Sequence, residues 1–158
     1  ADVIFRGYSQ QAINVGIGLL LTLAGIGQAL AQTVLLRMAL QRFVETQLVI
    51  AGLAVRGLGL LLYAFITALL PSATGVLLFA LGGGLAMPPL QGLATRAVSE
   101  RMRGSVLGLF QSVVGLAIIL STAGAGVIYA INPQWIPLVA SLITLIGLLP
   151  AFILYRKE

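Results

Sequence analysis

The sequence predicts an all-α integral membrane protein with about five transmembrane helices. Of its 158 residues, 59% are hydrophobic and only 8% are charged, whereas soluble domains carry roughly 25% charged residues. Apolar runs of about 20 residues, the length that crosses a bilayer as a helix, alternate with short polar turns. The predicted spans are residues 12–36, 47–70, 73–95, 104–131 and 136–155, and residues 1–11 are an interfacial segment or the remnant of a preceding helix.

The composition excludes most catalytic chemistry. The chain has no cysteine and no histidine, which excludes disulfides, thiol chemistry and the ordinary His or Cys metal sites. Its acids (Asp2, Glu45, Glu100 and Glu158) all lie at predicted span ends or in the tails. With no intramembrane carboxylate pair and no nucleophile–base pair, we expect no enzyme, no metal and no cofactor.

The basic residues predict the orientation in the membrane. One side of the five-span arrangement collects seven of them and the other side only Arg6. Because cytoplasmic loops are enriched in Lys and Arg, we expect an outside N-terminus and a cytoplasmic C-terminus in the cytoplasmic (inner) membrane. The net charge of +5 therefore reflects topology and a lipid bilayer partner, and not nucleic acid. The seven residues are Arg37, Arg42, Arg96, Arg101, Arg103, Arg156 and Lys157.

Polar residues inside the spans are the first candidate functional groups. Gln28 and Gln32 are four residues apart in the first span, so they share a helix face. They are expected either to form an interhelical hydrogen bond or to line a polar cavity. Arg56 lies eleven residues beyond Glu45, near mid-membrane at about 1.5 Å of rise per residue. An arginine there costs at least ~2.5 kcal/mol, so it contacts a substrate or ion, snorkels to a headgroup, or donates to buried carbonyls.

The third and fourth spans have distinctive small-residue patterns. Pro88 and Pro89 lack amide hydrogens and follow three consecutive glycines ending at Gly84. The helix should therefore be broken there, with freed carbonyls facing protein or water. Such a span indicates a binding site or hinge in a transporter, or else a static kink. In the fourth span, Gly104 and Gly108 begin a small-residue ridge that predicts a helix-packing surface.

Three segments together resemble a known family. They are GGGLAMPPLQGLATRAV (82–98), RGSVLGLFQSVVGLAIIL (103–120) and LLRMALQRF (35–43). In order and spacing they resemble the C-terminal half of a major facilitator superfamily transporter, closest to the drug–proton antiporters of the tetracycline-efflux type. The resemblance implies part of one six-helix half of that fold. It also implies part of a secondary active transporter that moves a small, amphipathic solute by alternating access, with proton-coupled efflux among the implied activities.

The resemblance also assigns roles to individual residues. It implies a central cavity lined by the first, third and fourth spans and a supporting helix that carries Arg56, while the hinge at Gly84, Pro88 and Pro89 is predicted from the glycines and prolines of the third span. The implied cavity residues are Gln28, Gln32, Gln91, Gln111 and Ser112. An implied cytoplasmic latch comprises Arg37, Arg42, Arg96, Arg101 and Arg103, for which simple positive-inside topology is the alternative.

A second function remains open at this point. Alternating access moves one half of a transporter against the other, so five spans need a missing N-terminal half or partner membrane subunits. The alternative is a transport-inactive, truncated relative that serves as a structural or assembly subunit of a larger membrane complex.

Overall fold

The computed structural model describes residues 9–65 and 69–156, and that part of the chain is helical apart from short turns. Five helical stretches are long and apolar enough to cross a membrane, which confirms the predicted fold class. The helices are α1 (Gln10–Leu30), α2 (Leu36–Ala39), α3 (Glu45–Phe65), α4 (Leu69–Arg96), α5 (Arg103–Ile131), α6 (Trp135–Ile146) and α7 (Leu148–Tyr155).

The first span contains a π-helical turn that the sequence did not predict. The span begins at Ser9, whose hydroxyl accepts a hydrogen bond from the Ala12 N–H. Residues Ala31–Leu35 then form a π turn between α1 and α2, in which the Leu36 N–H donates to the Ala31 carbonyl. Such bulges insert an extra residue into a helix and often lie at functional sites. Here the bulge contains Gln32, one of the predicted cavity residues.

The centre of the bundle is a glycine seam between α3 and α4. Gly52 and Gly59 of α3 face Gly82 and Gly75 of α4, so each helix contributes two glycines seven residues apart. A Cβ atom at Gly82 would lie 2.5 Å from the Gly52 carbonyl oxygen, and one at Gly59 would lie 2.6 Å from the Phe79 nitrogen. The two backbones are therefore in direct contact, the kind of close approach that small residues allow between membrane helices.

Helix α1 packs on α4 in a similar way. A Cβ atom at Gly27 would lie 2.7 Å from Leu77 Cδ1, and one at Gly84 would lie 2.6 Å from Ala31 Cβ and 2.9 Å from the Gln28 carbonyl oxygen. Helix α4 is thus held between α1 and α3 through faces that carry little side-chain volume.

The expected break in the third span is absent. Helix α4 continues without interruption through Pro88 and Pro89 to its end. The preceding turns contact neighbours directly, with Gly82 and Ala86 against α3 and Gly84 against α1. Packing on two sides holds the helical path there despite the missing donors. The helix also starts earlier than predicted: residues 69 and 70, assigned from sequence to the end of the second span, begin α4.

The fourth span does not pack through the small residues at its start, as the sequence predicted. None of the described residues of α5 is buried, and no atom lies within 4 Å of a Cβ placed at Gly104 or Gly108. The Ser112 hydroxyl donates to the Gly108 carbonyl of its own helix at 2.9 Å. The start of the predicted packing ridge, at Gly104 and Gly108, therefore has no neighbour from another described helix, because this part of α5 lies at the margin of the bundle.

The last span consists of two consecutive helices, α6 and α7, separated at Gly147. Pro150 lies in the first turn of α7, where a proline is tolerated because no intrahelical donor is needed. Helix α6 is fixed to α3 by a hydrogen bond from the buried Ser141 hydroxyl to the Gly57 carbonyl at 3.0 Å. A hydrogen bond between helices is a stabilising contact that does not depend on the hydrophobic effect, which is absent between helices in lipid.

Candidate functional site

Arg56 lies inside the α3–α4 seam with its charge directed at an aromatic ring. The guanidinium carbon is 4.4 Å from the centroid of the Phe79 ring, within the range of a cation–π contact. A Cβ at Gly83 would lie 3.2 Å from Arg56 Nη1, so the glycine leaves the space that the guanidinium occupies. Local sequence thus makes room on α4 for a charge carried by α3.

No described acid neutralises Arg56. Of the acids in the part of the chain that the structure describes, Glu45 pairs with Arg96 at 2.8 Å and Glu100 pairs with Arg103 at 3.5 Å. Both pairs lie at helix ends, eleven or more residues along the chain from Arg56. Within the described structure, the Phe79 ring therefore provides the electrostatic contact that no acid supplies.

A cavity of about 630 Å³ opens beside Arg56, between α3, α4, α5 and α6. Its walls are mostly aliphatic, and Arg56 is the one charged residue among the lining residues described. Two hydroxyls also line it, but each already donates within its own helix: Ser121 to Ile118 at 3.0 Å and Thr144 to Ala140 at 2.8 Å. Sequence reasoning missed this cavity, since its walls come from four helices and only Arg56 gave a signal.

The predicted cavity residues do not lie in this pocket. Gln28, Gln32 and Gln111 have exposed side chains on α1, the π turn and α5, while Gln91 is half-buried on α4. Ser112 is exposed and bonded within its own helix. No hydrogen bond joins any two of these five residues in the described structure, so their shared role as a cavity lining stays a prediction. What the structure shows is that four of the five face outward from this bundle.

One of the predicted latch residues forms an ion pair between two elements. Arg96, at the end of α4, contacts Glu45, at the start of α3, at 2.8 Å. The Glu45 side chain is only 16% exposed, whereas that of Arg96 is 72% exposed. The second carboxylate oxygen of Glu45, Oε2, is buried and has no hydrogen-bond partner among the described residues. A Cβ placed at Gly92 would lie 3.6 Å from Glu45 Oε1, so α4 packs against this carboxylate.

The other latch residues form no ion pair between helices that the structure describes. Arg37, Arg42 and Arg101 lie at the exposed surface, and Arg103 pairs only with Glu100, three residues before it. These positions fit the topological interpretation as well as the latch. Of the remaining residues in the orientation prediction, Arg6 and Lys157 lie outside the described part of the chain. The Glu45–Arg96 pair had no sequence signal, because the two residues are far apart along the chain.

Comparison with known proteins identifies the family. Residues 7–158 match the sequence model of the Major Facilitator Superfamily. The chain belongs to this superfamily. It is also 37% identical, over 114 residues, to the class C tetracycline resistance protein of Escherichia coli, a match that covers 72% of this chain and 28% of that relative. The chain therefore matches less than a third of the relative's length, and no solved structure gave a significant match.

Membership of the Major Facilitator Superfamily confirms the family predicted from the three quoted segments. The family match extends over almost the whole described structure, including the glycine seam, the Arg56 cavity and the Glu45–Arg96 pair. The similarity to a tetracycline resistance protein supports the efflux-type branch that the segments resembled.

Proposed function

We propose that this chain forms part of a secondary active transporter that moves a small, amphipathic solute across the cytoplasmic membrane by alternating access. The observation that carries the proposal is the superfamily match over residues 7–158. The similarity to a tetracycline resistance protein supports efflux as the direction.

The packing supports a bundle that moves as one body. In alternating access, one bundle rocks against another around a site near the membrane midplane. Helices α1, α3 and α4 are joined by backbone contacts at Gly52, Gly59 and Gly84, and α6 is hydrogen-bonded to α3. Contacts this close resist sliding, because any relative shift would bring backbone atoms into collision.

The outward-facing polar residues support a transport path outside this bundle. Gln28, Gln32 and Gln111 have exposed side chains on helices that are otherwise apolar. Amide groups in lipid are costly unless they find a polar partner, so these faces are expected to meet a second bundle across a hydrated cavity. The second bundle would be the N-terminal half, or partner subunits, of the complete transporter.

The Glu45–Arg96 ion pair, at the end of the bundle that carries most of the arginines, is proposed as a latch. Glu45 and Arg96 join the start of α3 to the end of α4, and the Arg96 guanidinium, whose side chain is 72% exposed, has further N–H donors for an acceptor on another bundle. In this proposal the acceptor engages in one conformation of the transporter and is released in the other. Proton coupling is proposed for carboxylates of the complete transporter, since Glu45 and Glu100 lie at helix ends.

The test is flux through the full-length gene product in proteoliposomes. Uptake of tetracycline and a panel of fluorescent amphipathic cations and anions would be measured with and without an imposed pH gradient. We expect saturable uptake of at least one solute, faster with the gradient, and an increased KM in Gln28→Ala. Gln41→Ala, in the exposed turn after α2, is the matched control and should leave KM unchanged. Flux no greater than in empty liposomes for every solute would refute the proposal.

Co-purification separates this function from a structural role. An assembly subunit would leave its own membrane in mild detergent with stoichiometric partner subunits and would show no flux. The transporter proposal expects flux from the full-length polypeptide, either alone or together with the partner subunits that supply its second bundle.

A further inference from the structure

We propose that the cavity between α3, α4, α5 and α6 binds an amphiphilic organic anion, whose acidic head pairs with Arg56 and whose apolar body lies along the aliphatic walls. The proposal concerns equilibrium binding and does not depend on the transport function.

The first argument is charge. Arg56 lies in the middle of a 21-residue apolar helix, and an arginine at that depth needs a partner. The described acids are engaged at helix ends, in the pairs Glu45–Arg96 and Glu100–Arg103. The missing negative charge beside Arg56 is therefore best supplied by a bound ligand.

The second argument is the geometry of the guanidinium. Its contact with Phe79, 4.4 Å from the guanidinium carbon to the ring centroid, is a cation–π contact, and it supplies no acceptor oxygen for the five N–H donors of the group. Among the described residues, none accepts a hydrogen bond from Arg56. A carboxylate, sulfonate or phosphate head can accept two such bonds side by side, the arrangement that makes arginine the preferred partner of these groups.

The third argument is the shape and lining of the cavity. Its volume of about 630 Å³ lies within the roughly 300–1,000 Å³ that is typical of small-molecule sites. Leu60, Val139 and Ile143 contribute aliphatic walls. The hydroxyls of Ser121 and Thr144 already donate within their own helices. Arg56 is thus the single strong polar anchor in an apolar space, and this pairing suits a molecule with one anionic end.

The test compares two probes that share one skeleton. 1-Anilinonaphthalene-8-sulfonate is anionic, and N-phenyl-1-naphthylamine is its neutral counterpart; both fluoresce when bound in an apolar site. Their saturable binding would be measured on the full-length protein in phosphatidylcholine nanodiscs, with empty nanodiscs subtracted. We expect Arg56→Gln to weaken sulfonate binding by roughly 10- to 100-fold, the range for losing a hydrogen bond to a charged group. Binding of the neutral probe should be unchanged.

Two further variants keep the test decisive. Gly124→Leu places a side chain in the cavity from α5, where a Cβ at this glycine would have no neighbour within 4 Å. This variant keeps Arg56 and should abolish saturable binding of both probes, even if Arg56→Gln fails to fold. Arg101→Gln removes an exposed charge outside the cavity and should change neither. Sulfonate binding that is absent in the wild type, unchanged in Arg56→Gln or unchanged in Gly124→Leu would overturn the proposal.

The same head chemistry could come from a soluble organic anion or from an anionic lipid. Competition by soluble naphthalene-1-sulfonate would identify a solute as an occupant. Native mass spectrometry of protein released from phosphatidylglycerol nanodiscs would identify a lipid, if the wild type retains one more phosphatidylglycerol than Arg56→Gln. The site would be refuted if naphthalene-1-sulfonate failed to compete and the wild type also retained no more phosphatidylglycerol than Arg56→Gln.

Discussion

A single methyl group at Gly82 is expected to force α3 and α4 apart. The new Cβ atom would lie 2.5 Å from both the Arg56 nitrogen and the Gly52 carbonyl oxygen, and 2.9 Å from Arg56 Cα. All three atoms belong to backbone, so no flexible side chain can move away to relieve the contact. Overpacking of this kind costs roughly 1–3 kcal/mol.

Matched glycines separate this cost from helix propensity. Replacing glycine by alanine inside a helix stabilises it by up to about 1 kcal/mol, and this gain applies to any of these positions. Gly25→Ala on α1 and Gly108→Ala on α5 are the controls, because no atom lies within 4 Å of a Cβ at either. Because all three substitutions share the gain in helix propensity, the difference in free energy of unfolding between Gly82→Ala and the controls should equal the overpacking cost of roughly 1–3 kcal/mol.

The assay is the free energy of unfolding of the full-length protein in mixed micelles, titrated with sodium dodecyl sulfate and followed by circular dichroism. A double-mutant cycle with Gly52→Ala extends it, since that Cβ would lie 2.7 Å from the Gly82 carbonyl oxygen. Once one methyl group has separated the helices, the second should cost less, giving a coupling of roughly 0.5–3 kcal/mol. The close contact between α3 and α4 would be refuted if Gly82→Ala were as stable as both controls, or if the costs of Gly52→Ala and Gly82→Ala were additive in the cycle.

Four other substitutions test three contacts between helices. Arg96→Gln should destabilise the protein more than Glu45→Gln, because it leaves the mostly buried Glu45 carboxylate unpaired. Since the Arg96 side of the pair is open to solvent, the pair contributes only about 0.2–1 kcal/mol. Equal decreases in the free energy of unfolding for the two variants would contradict this. Ser141→Ala should cost about 0.6 kcal/mol and at most about 1.7 kcal/mol, the range for interhelical hydrogen bonds in membranes, in the same titration. Phe79→Leu removes the ring beneath the intramembrane guanidinium and should cost roughly 0.5–2 kcal/mol; a stability equal to the wild type would show that the ring contributes only packing.

The sequence by itself determined the class of protein, the number of spans and the family. Hydropathy over about 20 residues is a local property, because lipid requires each span to satisfy its own backbone hydrogen bonds. Three short segments were sufficient to indicate the superfamily that the match over residues 7–158 confirms. The depth of Arg56 and the lack of an acid near it could also be read from residue spacing alone.

Only the tertiary structure decided which small residues pack. From sequence, the ridge that begins at Gly104 and Gly108 predicted contact, yet a Cβ at either glycine would have no neighbour within 4 Å, while the seam uses Gly52 and Gly82. A small residue permits a close approach but does not specify a partner, so one sequence pattern fits a buried or an exposed face. The same reason explains Pro88: a proline removes a donor locally, and the packing of the neighbouring helices decides whether the helix continues.

The partners of charged groups were likewise decided in three dimensions. Glu45 meets Arg96, and Arg56 meets the Phe79 ring and a cavity built from four helices. Charge and depth are written in the sequence, but the contact that neutralises a charge depends on distances between helices that lie far apart in the chain. Local composition therefore predicted that Arg56 needs a partner, and only the packing of α3 against α4 and α6 placed its guanidinium beside the Phe79 ring and the cavity.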